Sequence, residues 1–158
     1  MAVDKHSLDQ KTFLAQYRFT AQDFERSALR WKDLVWIYTA HVEDIPELQA
    51  TADYVSQRLR QLPAVHSLKI RVKDPEHLLA KIIRKKLEDP SREITTDNYP
   101  EQITDLIGIR AMHLFKEQWA PIHDFVTSTW DLKEKPIRMS AKEIRSPSSV
   151  SLVSVDAW

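Results

Sequence analysis

One glycine, Gly108, stands in the whole of this 158-residue sequence. A P-loop and a dinucleotide-binding fingerprint each need several glycines, because backbone N–H groups must close on phosphates there. Neither can be built from this chain. If it binds a nucleotide, side chains and metal must hold the phosphates. Cysteine is absent, which removes disulfides and thiolate chemistry. Lys plus Arg and Asp plus Glu both total 23, so the formal net charge is zero. Binding to nucleic acid through bulk positive charge is therefore not expected, and any polyanion must be met by a local cluster. The hydrophobic share of 42% and charged share of 29% suit one ordinary globular core. The opening MAVDKHSLDQ is polar and no apolar run is long enough to span a bilayer. The expectation is a cytoplasmic protein with no membrane partner.

Hydrophobic spacing orders the chain. From Thr20 to His41 apolar residues recur at three and four, with Phe24, Ala28, Trp31, Val35 and Tyr38 on one stripe, widened by Leu34 and Ile37. Pro46 suits the first turn of a following helix, whose inner face is Leu48, Ala52, Val55, Leu59 and Leu62. These two segments predict an antiparallel helical pair ending before Pro63. Leu68, Ile70 and Val72 then alternate with Ser67, Lys69 and Arg71, the period of a half-buried strand. Asp74-Pro75 supplies a cap and first residue for a helix reaching Pro90. Ser91 to Gln102 reads as a loop. ITDLIGIRAMHLF is the strongest strand signal, too apolar for a surface, and KEQWAPIHDFVTSTWDL is helical in its second half, with Ile122, Phe125 and Val126 inward. Of the five tryptophans, Trp31, Trp36, Trp119 and Trp130 lie in helical segments and are expected in the core. Helices and at least two strands share one core, with a helical layer at the N-terminus.

Two constellations can carry chemistry. In Arg71-x-Lys73-x-x-x-His77-x-x-x-Lys81, alternation puts Arg71 and Lys73 on one strand face, and a spacing of four puts His77 and Lys81 on one helix face. Strand end and helix start then aim three cations and an imidazole at one spot, beside the positive end of a helix dipole. This is either a triphosphate cradle without glycines or, more plainly, a solvated basic helix face continuing through Arg84, Lys85 and Lys86. The second constellation is Asp105-Leu106-Ile107-Gly108-Ile109-Arg110. Asp105 is either a magnesium ligand, since hard cations take carboxylate and phosphate oxygens together, or a carboxylate in water at the strand mouth with Arg110 paired to an acidic neighbour. The histidines His6, His41, His66, His113 and His123 have no zinc spacing and read as surface or core residues.

Taken together, in this order and separation, the two constellations resemble the synthetase domain of RelA/SpoT-type alarmone synthetases, small ones included. RVKDPEHLLAK matches the family's R-x-K-x-x-x-S-x-x-x-K element, and DLIGIR its D-L-I-x-I-R strand. The resemblance covers roughly Phe24 to Pro136. It implies an α+β fold, a partial nucleotidyltransferase-like mixed sheet with an N-terminal helical layer. Residues 1–62 are the helical segment, 63–137 the partial synthetase core and 138–158 a divergent tail. The implied chemistry is attack of the 3′-hydroxyl of GTP or GDP on the β-phosphorus of ATP, with AMP leaving and Mg²⁺ as cofactor. On this resemblance Arg71 stacks on adenine and Lys73 and Lys81 hold the ATP phosphates. Asp105 binds the catalytic metal and Arg110 lies near the phosphates. His77 stands where the family usually has serine, as a phosphate contact.

Beyond Pro136 the resemblance stops. The family continues with a G-Y-x-S-x-H segment, whose tyrosine stacks on guanine, and a later strand glutamate for the metal. Here the chain reads IRMSAKEIRSPSSVSLVSVDAW, with no tyrosine after Tyr99 and Glu143 in no matching motif. The expectation is a truncated member with the ATP half of the site and an impaired acceptor half, whose last residues could add an edge strand. Two rivals stay open: a tRNA 3′-end pyrophosphokinase toxin of the same fold, and a non-catalytic nucleotide- or partner-binding remnant.

Overall fold

A computed structural model describes residues 8–137. The elements run α1 (Gln10–Gln16), α2 (Ala21–Arg26), α3 (Trp31–Arg60), β1 (Ser67–Val72), α4 (Pro75–Glu88), α5 (Tyr99–Gln102), β2 (Ile107–Met112), a 3₁₀ turn (Lys116–Gln118) and α6 (Trp119–Thr129). Helices joined to a small antiparallel sheet make this an α+β fold. No helix among the described residues is long and apolar enough to cross a membrane. The expected tail, His6 and any edge strand near the end lie outside the described residues.

Two compact units divide the chain: the residues up to Asp44 with Asp74–Ile103, and Ile45–Lys73 with the residues from Thr104 onward. In the first unit, α1 and α2 are short and well capped. Asp9 accepts from the Thr12 backbone N–H at 2.9 Å, and Thr20 and Asp23 form a reciprocal capping box on α2. Both helices stop in left-handed backbone, at Arg18 (φ 60°) and Ala28 (φ 55°). At the first stop the Arg18 N–H reaches Ala15 O and the Phe19 N–H reaches Leu14 O, a paired C-terminal closure usually built on glycine. With its only glycine at position 108, the chain accepts a side chain in the left-handed region twice, at about 1–2 kcal/mol each.

The sequence predicts one helix over 20–41 and a break at Pro46, and the structure moves that break. Ala28 ends α2, and α3 then runs unbroken for 30 residues through Pro46. A proline removes one N–H from the ladder, here the partner of the Val42 carbonyl. Pro46 is exposed, so the loss falls on the outer side of a helix with many other bonds. The stripe shifts accordingly: in the first unit α3 buries Leu34, Ile37 and His41, while Trp31 is half-buried and Trp36 is 50% exposed under the Lys32 ammonium. Trp119 and Trp130 are also only half-buried, so none of the four tryptophans lies fully in a core.

The first unit's core is completed by Phe13 and Leu14 of α1, Leu78, Leu79, Ile82 and Ile83 of α4, and Ile94, Tyr99 and Ile103 beyond it. Each buried side chain of this size is worth about 1.5–3 kcal/mol. Tyr99 donates to Asp44 Oδ2 at 2.7 Å and meets the His41 ring edge-on, which fastens the otherwise irregular segment after α4. Burial and the Asp44 carboxylate push the Tyr99 hydroxyl's pKa up. Lys86 is buried too, donating to the Pro90 and Arg92 carbonyls where α4 ends.

In the second unit β1 and β2 pair antiparallel, with Lys69 opposite Arg110, Ile70 opposite Ile109 and Arg71 opposite Gly108. A parallel neighbour, which a mixed sheet needs, is not found among the described residues. Cross-strand partners share a face, so Leu68, Ile70, Val72, Ile107, Ile109 and Ala111 make one apolar side. Ile107 and Ile109 line an open groove of about 370 Å³ with Val55 and Leu59 of α3 and Ile122 and Val126 of α6. β2, expected to be buried, has no buried residue, and Met112, Leu114 and Phe115 are at least half exposed. A two-stranded ribbon with one incomplete covering layer cannot close over its own apolar side.

Candidate functional site

β1 runs into Lys73 and β2 starts just after Asp105, so the register brings the two motifs mouth to mouth. The Lys73 backbone N–H extends the ladder to Leu106 O at 2.7 Å. The Lys73 ammonium then donates to Asp105 Oδ2 at 2.8 Å, with the two side chains 5% and 21% exposed. Residues 32 apart in sequence thus form a nearly buried ion pair. Asp105 is therefore not the solvated carboxylate of the plainer expectation. Arg71 and Lys73, expected on one strand face, differ in exposure: Arg71 is exposed, whereas Lys73 is buried against the carboxylate.

Arg71, Lys69 and Arg110 occupy the other, polar face of the ribbon, all exposed. Lys69 and Arg110 are direct cross-strand partners, and like charges so placed repel. None of the three has an ion pair among the described residues, so Arg110 lacks the acidic neighbour of the plainer reading. Gly108, opposite Arg71, adds no side chain to this face; a Cβ there would meet only the Arg71 carbonyl oxygen, at 3.8 Å. The arrangement suits an anion with a planar group: guanidinium for stacking, cations flanking it. Lys69 was not among the expected site residues. Its signal was present, since it lies two residues before Arg71 and so on the same face.

His77 and Lys81 belong to the first unit, on α4, and are described there by themselves. Asp74 caps that helix through the Glu76 and His77 backbone N–H groups, both at 3.0 Å, and the same Oδ1 lies 3.2 Å from His77 Nδ1. The imidazole is 60% exposed, with Tyr17 edge-on at 5.5 Å. Tyr17 itself donates to Glu76 Oε2 at 3.2 Å, and burial together with the Glu76 charge pushes its pKa up to about 12. Lys81 is half-buried one turn further along.

A divalent cation would find limited protein support. No group of three or more His, Cys, Asp or Glu side chains gathers among the described residues. Asp105 offers hard carboxylate oxygen, and Mg²⁺ can be held by one or two carboxylates when phosphate oxygens complete its shell. The donor set therefore fits magnesium arriving with a polyphosphate and gives little for free metal.

A model of the region found in RelA / SpoT proteins matches residues 70–152, just over half of the chain. No curated protein matches the chain, and no solved structure does either. The matched span opens within β1, takes in Arg71, the Lys73–Asp105 pair and Arg110 of β2, and continues past the described residues to 152, beyond the Pro136 at which the sequence resemblance was expected to stop. On that match the chain belongs to the RelA/SpoT family.

Proposed function

We propose that this chain binds ATP with Mg²⁺ as a (p)ppGpp synthetase-like protein, with transfer of pyrophosphate to the 3′-hydroxyl of GTP or GDP impaired in these 158 residues taken alone. The observation that carries the reading is the Lys73–Asp105 pair at 2.8 Å, built from one residue of each motif. Without ligand each charge offsets the other, which makes a nearly buried lysine tolerable. With magnesium and ATP bound, each would have a stronger partner: phosphate oxygen for Lys73, the cation for Asp105. Arg71 stacks on the adenine on the face to which Gly108 adds no side chain, and Arg110 and Lys69 lend positive charge to the same face. His77 and Lys81 act as further phosphate contacts.

In the reaction, the acceptor 3′-oxygen forms a bond to the ATP β-phosphorus while the bond from that phosphorus to the α–β bridging oxygen breaks. AMP carries that oxygen away, and the hydroxyl proton passes to a base. Such transfer is mostly positioning and charge neutralisation. Bound magnesium supplies Lewis-acid stabilisation of the charge that develops on phosphate oxygen. Lys73 and Arg110 do the same by side chain, and Asp105 anchors the metal. No tyrosine stands between Tyr99 and Trp158, so these residues by themselves supply none to stack on guanine. Lost general-base help alone costs about 10²–10⁴-fold.

The exposed cations Lys69, Arg71 and Arg110, without an ion pair among the described residues, favour a second acceptor, the phosphate-rich tRNA 3′ end. Thin-layer chromatography of labelled ATP with GTP, GDP or tRNA separates these readings. Measurable ATP binding with little or no alarmone supports the proposal. Robust magnesium-dependent pppGpp or ppGpp overturns the impairment, labelled tRNA establishes the second acceptor, and no ATP binding leaves a non-catalytic remnant.

A further inference from the structure

We propose that Tyr17 is a positioning residue, which orients His77 for phosphate through a contact between the end of the N-terminal helix and the start of α4. The inference rests on the reading of His77 as a phosphate contact, but its geometry stands apart from it. Tyr17 and α1 precede the matched span of 70–152 by more than fifty positions, so the family motif does not account for them.

The arrangement is a chain of rings. Trp31 at the start of α3 lies 5.4 Å from Phe13, which is 3% exposed. Phe13 lies 4.6 Å from Tyr17, and Tyr17 meets His77 edge-to-face at 5.5 Å. A core aromatic thus backs an imidazole that is itself mostly in solvent. Glu76, the neighbour of His77, receives the Tyr17 hydroxyl at 3.2 Å and the Gln16 side-chain amide at 3.1 Å. Those two bonds tie α1 to the first turn of α4.

Asp74 Oδ1 also lies 3.2 Å from His77 Nδ1. A carboxylate there favours the proton on Nδ1 and leaves Nε2 as the accepting nitrogen of the neutral ring. Ring and carboxylate together restrict the imidazole in both rotation and tautomer. A serine at position 77 is too short to need such a brace. Against the imidazole stand the Asp74 carboxylate at the N-cap of α4 and the Tyr17 ring at the C-cap of α1, so this aromatic restraint comes from outside the motif.

A double-mutant cycle read by ATP titration calorimetry on the full chain tests this. Tyr17→Leu should weaken ATP about threefold to tenfold with His77 in place, the range of a lost aromatic pair. In the His77→Ser background the same change should alter affinity by less than about twofold. Tyr17→Phe keeps the ring and should stay near native affinity, which guards against a folding defect in the leucine variant. Equal losses in both backgrounds, or no loss in either, overturn the proposal. If the native chain binds no ATP, the functional reading fails and the imidazole NMR signal decides this one. Loss of the ring-current shift at His77 Cε1–H in Tyr17→Leu, and its retention in Tyr17→Phe, support the brace; an unchanged shift in Tyr17→Leu overturns it.

Discussion

The two units solve the burial problem differently. In the first, Leu34, Leu78, Leu79, Ile82, Ile83 and Ile103 are wholly buried, and even its polar His41 and Ser27 are out of solvent. In the second, no residue of either strand is buried, and the most enclosed charged side chain is Lys73, held by Asp105. A helical layer with its own core can be stable without ligand. A two-stranded ribbon with an open apolar groove keeps its buried polar pair at the end where the motifs meet. The lesson is a division of labour: packing in the first unit, exchangeable charge in the second.

The largest effect should come from the first core. Ile82→Ala should cost about 3–4 kcal/mol in urea unfolding, whereas Ile109→Ala on the half-covered ribbon should cost about 1 kcal/mol. Similar losses at the two sites would break the comparison. Next comes the pair in the second unit. Asp105→Ala leaves Lys73 without this partner and should destabilise by about 2 kcal/mol, below the range for fully buried pairs because Asp105 retains some exposure. A smaller gain is expected at the helix ends of the first unit. Arg18→Gly and Ala28→Gly should each raise stability by about 1 kcal/mol, since glycine relieves the left-handed strain.

The smallest expected effect is alkaline. Tyr17 is raised from 10.0 to about 12 in the fold, so between those values the unfolded chain loses this proton first. The native state then binds more protons than the unfolded one, and stability falls with rising pH. The contribution is fully present below about pH 10 and lost as pH passes about 12. Tyr17→Phe should flatten that part of the pH profile; an unchanged slope would contradict the assignment.

Reading the sequence for period and caps located β1, the Asp74-Pro75 start of α4 and the α6 helix, because alternation and capping are local signals. The Ala52–Val55–Leu59 face was legible for the same reason. The ends of α1 and α2 were not, because Arg18 and Ala28 stand where glycine normally marks a helix stop. Pro46 misled for the opposite reason: it marks a break strongly, yet on an exposed helix face it costs little more than one hydrogen bond. At the site, the motif residues could be named from spacing and resemblance. Lys73's contact with Asp105 could not, since it depends on the antiparallel register of strands far apart in sequence. Tyr17 carried no signal at all, because its partner His77 is sixty positions away.

Magnesium dependence of ATP affinity, measured by calorimetry on the native chain and on Asp105→Asn, tests most directly whether the Lys73–Asp105 pair is exchanged for metal and phosphate. The native chain should bind ATP at least about tenfold more tightly with Mg²⁺ than without it, the scale of one charge-assisted contact. Asp105→Asn should lose that increment yet bind metal-free ATP no worse than native, because an amide holds the Lys73 ammonium less strongly than a carboxylate does. An increment that survives the substitution, or native affinity indifferent to Mg²⁺, would contradict the account.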